Sequence, residues 1–257
     1  MNLPRLLRLI LLNSAFVIAH SAFGADAPLH LYLLMGQSNM AGRGALDATP
    51  PADNPRILVL APDGSWVPAC DPLHEKVGRT EPGVGPGLSF AQAMLKADPK
   101  VTIGLIPCAV GGSPLKRWVK GGDLYSQAVA RAKASSARGT LEGVLWHQGE
   151  TDSDKQPWTE TYESRLVRMI ADLRSDLGRP DLPVVVGQLG EFLTPEKHPG
   201  VETIRAALKR IPTLVPHTGY VDSTGLVHKG DELHFDTASA RKLGTRYAEA
   251  MMKLQKP

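Results

Sequence analysis

The 257-residue chain has only two cysteines, no long run of like charge and no fixed repeat of glycine or proline. Its 29 Lys and Arg against 26 Asp and Glu give a formal net charge of +3, without the basic cluster that would indicate nucleic-acid binding. The 25 glycines and 21 prolines follow no period, which excludes collagen-like and low-complexity chains. A hydrophobic share of 42% excludes an intrinsically disordered chain and is enough for a sizeable core.

Residues 1–24 have the layout of a secretory signal peptide. Two arginines give a positive start, Leu9–Ile18 is a nearly unbroken apolar run, and small residues suit cleavage before Ala25. The apolar run is shorter than the roughly 20 residues that span a bilayer, which favours cleavage over the alternative of an uncleaved membrane anchor. We therefore predict an exported protein, periplasmic or secreted, with no stable membrane association after signal cleavage.

Export favours a disulfide bond between the two cysteines, Cys70 and Cys108, with two buried free thiols as the alternative. The bond would close a loop of 38 residues. In the chain-entropy model that closure stabilises the fold by roughly 3–4 kcal/mol. Both states remain open from the sequence.

Short apolar runs alternate with longer amphipathic stretches from about residue 30 onward. The runs lack polar alternation, as strands buried on both faces require: 31–35, 57–60, 101–106, 143–146 and 184–186. Helical periodicity covers Tyr162–Leu177, preceded by Pro157, and Ala240–Leu254, preceded by the N-cap candidate Asp236. The pattern predicts one α/β domain over residues 25–257, with a parallel sheet between helical layers and functional loops at one edge.

A candidate nucleophile and its base lie in two loops at opposite ends of the domain. Ser38 follows the first predicted strand within residues 36–42 (GQSNMAG), and the methionine at position 40 rules out the G-x-S-x-G elbow of α/β-hydrolases. A serine nucleophile needs a histidine base, and that imidazole needs a carboxylate partner. Asp231 and His234, three residues apart before the last helix, can meet that geometry.

Two further loops could stabilise negative charge. Residues 107–113 (PCAVGGS) contain paired glycines, which allow a backbone amide to point into a pocket. Residues 146–152 (WHQGETD) offer Gln148 as a donor to an oxyanion and Glu150 as a second partner for the histidine. Metal catalysis is the competing chemistry, but neither His-Glu-x-x-His nor paired-cysteine spacing occurs, so we predict no metal and no cofactor.

The four segments, taken in chain order (36–42, 107–113, 147–152 and 231–234), resemble the sequence blocks of the SGNH-hydrolase superfamily, in the branch of sialate O-acetylesterases and the acetylxylan esterases of carbohydrate esterase family 6. Gln148 stands where the superfamily usually has asparagine. The resemblance extends from Leu31 to about Ala250. It implies a three-layer α/β/α sandwich with a flavodoxin-like parallel sheet of about five strands.

The resemblance also implies residue roles, with Ser38 as nucleophile and His234 as general base. Three donors would form the oxyanion hole: the backbone N–H groups of Ser38 and Gly112 and the side chain of Gln148. Asp231 is the first choice for the third member of the triad and Glu150 the alternative.

The implied function is a serine esterase that removes O-acetyl groups from carbohydrates, of acetylxylan or sialate type, through an acetyl-enzyme. Four residues are substrate-binding candidates, as polar, cationic or sugar-stacking side chains: Gln37, Asn39, Arg117 and Trp118. The alternatives are an SGNH lipase or thioesterase acting on longer acyl esters, and a non-catalytic carbohydrate-binding protein. The oligomeric state stays open.

Overall fold

The computed structural model describes residues 27–48, 54–77 and 81–256, and the predicted signal peptide 1–24 lies outside them. Seven strands form one sheet: β1 (Leu29–Gly36), β2 (Ile57–Leu60), β3 (Trp66–Pro68), β4 (Thr102–Pro107), β5 (Thr140–His147), β6 (Val184–Gly187) and β7 (Thr218–Val221). The helices are α1 (Ser38–Ala41), α2 (Gly87–Ala97), α3 (Asp123–Ser135), α4 (Glu150–Ser153), α5 (Gln156–Glu160), α6 (Tyr162–Leu177), α7 (Val201–Leu214) and α8 (Thr237–Gln255).

The sheet has the strand order β3-β2-β4-β1-β5-β6-β7 and is parallel except for β3, which pairs antiparallel with β2 at one edge. This confirms the predicted α/β architecture, with two strands more than the five expected. The strand order reverses beside β1, whose neighbours are β4 and β5. In open parallel sheets, ligands bind at the carboxyl ends of the strands at such a switch point.

Two separate apolar layers cover the two faces of the sheet, and β1 contributes to both because its side chains alternate. Leu31 and Leu33 face the layer that includes α3, α6 and α7, whereas Tyr32 and Leu34 face the layer that includes α2 and α8. All four are fully buried. The central strand is therefore buried on both faces along this stretch.

The two predicted amphipathic helices are present as α6 and α8. Asp236 caps α8 as expected, since its side chain accepts a hydrogen bond of 2.7 Å from Ser239 N. Pro157 begins a different element, because it lies in the short α5 that precedes α6. None of the helices in the described ranges combines the length and the apolar character needed to cross a membrane.

The predicted disulfide bond is wrong, because Cys70 and Cys108 are both free thiols. Cys108 is held at the end of β4, where its backbone N–H donates to Leu34 O at 2.9 Å, while Cys70 is exposed beyond β3. Burial raises the pKa of the Cys108 thiol to about 12, so this group is neutral and unreactive.

Candidate active site

Three of the predicted residues form a continuous hydrogen-bonded series at the carboxyl edge of the sheet. Ser38 Oγ lies 3.0 Å from His234 Nε2, and His234 Nδ1 lies 2.7 Å from Asp231 Oδ2. The other carboxylate oxygen, Asp231 Oδ1, accepts from the backbone N–H groups of Leu233 at 3.1 Å and His234 at 2.9 Å. A histidine held in this way can take the proton of the serine hydroxyl as the oxygen attacks a carbonyl carbon.

The protonation states of this series suit general-base chemistry. Burial lowers the pKa of His234 below its ordinary value, and the hydrogen bond to Asp231 offsets only part of that effect. Burial raises the pKa of Asp231, but hydrogen bonds from the backbone and ring of His234 outweigh it and lower the pKa to about 2. At neutral pH the imidazole is therefore free to accept a proton beside a charged carboxylate.

A sharp turn at the end of β1 presents Ser38. Gly36 has φ 133°, and a Cβ there would collide with the backbone oxygen of His147 on the neighbouring β5. The same oxygen accepts a hydrogen bond of 2.9 Å from Gln37 N. Only glycine allows this close approach of the two strand ends, and Ser38 follows as the first residue of α1.

Asn39 joins the nucleophile loop to the histidine loop. Its Nδ2 donates to Leu233 O at 3.1 Å, and its Oδ1 accepts from Phe235 N at 3.1 Å. The side chain thus holds the backbone on both sides of His234. Asn39 is buried, so the predicted role in substrate binding is wrong, and its contacts are structural.

Glu150 supports Asn39 and makes no hydrogen bond with His234. It is 2% exposed, and its Oε1 accepts from Asn39 Nδ2 at 2.7 Å. Burial raises the pKa of the carboxyl group, and its Oε2 has no partner among the described residues. Asp231 is therefore the carboxylate beside the imidazole, whereas Glu150 contacts Asn39, which in turn holds the backbone around His234.

Two backbone amides are available for a developing oxyanion. Within the described ranges, neither Ser38 N nor Gly112 N donates to another protein group, and both residues line the same cavity. Gly112 has φ 67°, a left-handed conformation that glycine adopts readily. Its loop lies beside the nucleophile, since a Cβ on the preceding Gly111 would be 3.7 Å from Ser38 Cβ. Unpaired amides beside a nucleophile are what an oxyanion hole requires.

The structure does not place the Gln148 amide where the third oxyanion donor must be. Gln148 is fully buried, and its Nε2 donates to Asp152 Oδ2 at 2.7 Å, Gln37 Oε1 at 3.2 Å and Ser113 O at 3.2 Å. These three acceptors hold the amide among buried groups, and Gln148 is not one of the residues that line the cavity. Gln37 does line the cavity, so Gln148 acts on the site by orienting the side chain of Gln37.

The cavity at the serine has a volume of about 340 Å³. Its lining is mostly polar: Gln37, Ser38, Arg43, Val77, Gly111, Gly112, Glu150, Thr151, Asp154, His198, Leu233 and His234. Sequence reasoning did not place Arg43, Asp154 or His198 at the site. Arg43 directly follows the GQSNMAG segment and Asp154 lies two residues beyond WHQGETD, whereas no local pattern marks His198. Among the described residues, no group of three or more metal-ligating side chains is arranged to hold an ion.

Two other predicted substrate-binding residues lie away from the cavity, and those predictions are wrong. Trp118 is fully buried, with its ring edge-on to Trp146 and its Nε1 donating to Ser113 Oγ at 2.9 Å. Arg117 forms an exposed ion pair with Asp123. Trp118 therefore supports the loop after β4 through Ser113, and Arg117 pairs with the first turn of α3.

Comparison with known sequences agrees with this geometry. Residues 28–253 match the family described as carbohydrate esterase, sialic acid-specific acetylesterase. The chain belongs to this family. The predicted resemblance is thereby confirmed, and the protein is a carboxylic ester hydrolase of the carbohydrate esterase class.

Among its relatives, this carbohydrate esterase is similar to a probable carbohydrate esterase of Arabidopsis thaliana, at 35% identity over 88% of this chain and 91% of that one. The X-ray structure of the Arabidopsis protein superposes with a TM-score of 0.80 at 33% identity, covering 88% and 98% of the two chains. NanS (TM-score 0.73, 21% identity, 88% and 98% covered) has the same fold. So does a carbohydrate acetylesterase from Xanthomonas citri (TM-score 0.64, 21% identity, 87% and 55% covered).

Proposed function

We propose that this protein is an exported esterase that removes O-acetyl groups from acidic sugars of the sialate type. The observation that carries the esterase assignment is the Ser38–His234–Asp231 series beside a cavity lined by two backbone amides that have no partner among the described residues. The alternative of a non-catalytic carbohydrate-binding protein gives no reason for a serine hydroxyl aimed at a histidine that is itself held by a carboxylate.

The reaction follows from these positions. Ser38 Oγ bonds to the acetyl carbonyl carbon while His234 Nε2 takes the hydroxyl proton, and the amides of Ser38 and Gly112 hold the oxyanion. The carbon–oxygen bond to the sugar then breaks, and protonated His234 gives its proton to the departing sugar oxygen. Water, deprotonated by His234, attacks the acetyl-serine carbonyl carbon. The bond from that carbon to Ser38 Oγ then breaks, His234 returns the proton to Oγ, and acetate leaves.

Arg43 supports an acidic substrate. Its half-buried guanidinium lines the cavity and donates to Gly42 O at 2.6 Å, and among the described residues no carboxylate pairs with it. A methyl group on Gly111 would collide with Arg43 Nη2 and would lie 3.7 Å from Ser38 Cβ, so the cation sits beside the nucleophile. A guanidinium can bind a carboxylate in a bidentate manner, through two parallel N–H···O hydrogen bonds.

The test is acetate release from O-acetylated sialic acid, acetylated xylan and p-nitrophenyl acetate, with Ser38→Ala as control. We expect release by the wild type, preference for the sialic acid, and background rates for Ser38→Ala. Arg43→Gln should lower kcat/KM for the acidic sugar about 10- to 100-fold, the value of a hydrogen bond to a charged group, and change xylan release less. No acetate from any substrate would contradict the esterase, and an equal effect of Arg43→Gln on both sugars would contradict the acidic preference.

Two further measurements address chain length and export. A lipase or thioesterase would prefer octanoyl to acetyl esters, and a cavity of about 340 Å³ whose lining residues are mostly polar or charged predicts the opposite preference. For export, the amino terminus of the protein purified from culture should begin at Ala25, and an intact Met1 would contradict the signal peptide.

A further inference from the structure

A second carboxylate–histidine pair lies in the same cavity. Asp154 follows α4, His198 lies in the loop before α7, and both line the cavity together with Ser38 and His234. His198 Nδ1 is 2.7 Å from Asp154 Oδ1. The imidazole side chain is 15% exposed, whereas the carboxylate is 46% exposed, so the ring is the more enclosed partner.

Backbone hydrogen bonds fix the position of this pair. Gly200 N donates to Ser153 O at 2.8 Å, which ties the loop before α7 to the end of α4. Within that loop, His198 N donates to Thr194 O at 2.8 Å and Val201 N donates to His198 O at 2.9 Å. The ring is therefore held in place before any substrate arrives, which lowers the entropy cost of binding.

The carboxylate also fixes which ring nitrogen carries the proton. A hydrogen bond from Nδ1 to Asp154 keeps the proton of a neutral imidazole on Nδ1 and leaves the Nε2 lone pair free to accept. In the part of the chain that the structure describes, His198 Nε2 has no hydrogen-bond partner, and the pair has no hydrogen bond to Ser38 or His234. The pair is thus equipped to bind a hydroxyl group and stands outside the proton-transfer series.

We propose that His198, oriented by Asp154, accepts a hydrogen bond from a hydroxyl group of the sugar that carries the acetyl ester. This inference rests on the proposed carbohydrate esterase function and names the residue that distinguishes a sugar from a simple alcohol. Asp154 is then a positioning residue that acts through the ring, and the pair selects polyhydroxylated leaving groups over leaving groups that have no hydroxyl.

The test compares two acetyl esters that differ in their leaving groups, O-acetylated sialic acid and p-nitrophenyl acetate. For His198→Ala we expect kcat/KM to fall about 2- to 12-fold for the acetylated sugar, the value of one neutral hydrogen bond, through KM more than kcat. The nitrophenyl ester should change less than twofold. His198→Gln, which keeps a polar group near the Nε2 position, should recover part of the loss.

Asp154→Ala should reproduce the sugar-specific loss in the wild type and add nothing in the His198→Ala background. A matched control is a third Asp–His pair, Asp181 and His217, whose carboxylate and ring nitrogen are 3.6 Å apart and which does not line the cavity; Asp181→Ala should leave the hydrolysis of both substrates unaffected. Equal losses on both esters, or no loss on the sugar, would overturn the proposal. A wild type that cleaves only the nitrophenyl ester would instead contradict the carbohydrate function itself.

Discussion

Replacing Asp231 and Glu150, one at a time, by the corresponding amide shows which carboxylate is the partner of His234 and which one only supports the histidine loop. Asp231 Oδ2 is 2.7 Å from His234 Nδ1, whereas Glu150 contacts Asn39 and makes no hydrogen bond with the imidazole. Asp231→Asn removes the charge that stabilises the imidazolium and the acceptor that fixes its tautomer. The equivalent change in a serine-protease triad lowers kcat by about 10⁴-fold, and we expect kcat to fall by about 10³- to 10⁴-fold here.

Glu150→Gln should behave very differently. The amide oxygen still accepts from Asn39 Nδ2, so the contacts of Asn39 with the backbone around His234 persist. We expect kcat within about threefold of the wild type. The free energy of unfolding should fall by about 0.5–1.5 kcal/mol, because a charge-assisted hydrogen bond becomes a neutral one. Glu150→Ala removes the acceptor altogether, so both kcat and the free energy of unfolding should fall further than in Glu150→Gln.

The assay is the turnover of p-nitrophenyl acetate near neutral pH, with urea unfolding of each variant under the same conditions. Unfolding data separate a lost chemical role from a lost fold. A Glu150→Gln variant that loses 10³-fold in kcat at unchanged stability, while Asp231→Asn stays active, would refute the assignment of Asp231 as the partner of His234.

Three further results are expected. Because only neutral His234 accepts a proton and burial lowers its pKa, activity should persist as pH falls, and the acid limb of kcat/KM should have its midpoint below 6.5; a midpoint above 6.5 would contradict the cause given. Gln148→Ala should reduce the free energy of unfolding by about 2–4 kcal/mol along with turnover, since it leaves buried groups without partners; a 10²- to 10³-fold loss of turnover at full stability would restore the direct oxyanion role. Gly36→Ala should cost more than about 3 kcal/mol, because its Cβ meets backbone atoms, whereas Gly64→Ala, at a position that also has a positive φ but open space around it, should cost about 1 kcal/mol; equal losses in urea unfolding would show that the strand contact is unimportant.

The strands that the sequence predicts are those buried on both faces, because that environment restricts composition most strongly. The run Leu31–Met35 is apolar at every position and forms the centre of the sheet. The two strands that the pattern misses, β3 and β7, lie at the sheet edges. Thr218–Val221 has a glycine and a partly exposed tyrosine, so its composition resembles that of a loop.

At the candidate site, the sequence predicts which loops meet better than where their side chains point. Ser38, Asp231 and His234 follow from the order of the segments and the topology of a parallel sheet. The direction of Trp118 depends on its packing against Trp146, which lies 28 residues further along the chain. That of Gln148 depends on Gln37 and Ser113, which are 111 and 35 residues away. Nothing in the local sequence encodes the geometry of these long-range contacts.

The central claim is that the Ser38 hydroxyl is activated by His234, and covalent trapping tests it most directly. The wild type is treated with a serine-directed phosphonate, the modified peptide is located by mass spectrometry, and the rate is compared with that of His234→Ala. We expect one adduct, on Ser38, forming at least 100-fold more slowly in the variant, in line with the contribution of about 10²–10⁴-fold that general bases make. An adduct on another residue, or an equal rate in the variant, would contradict the account.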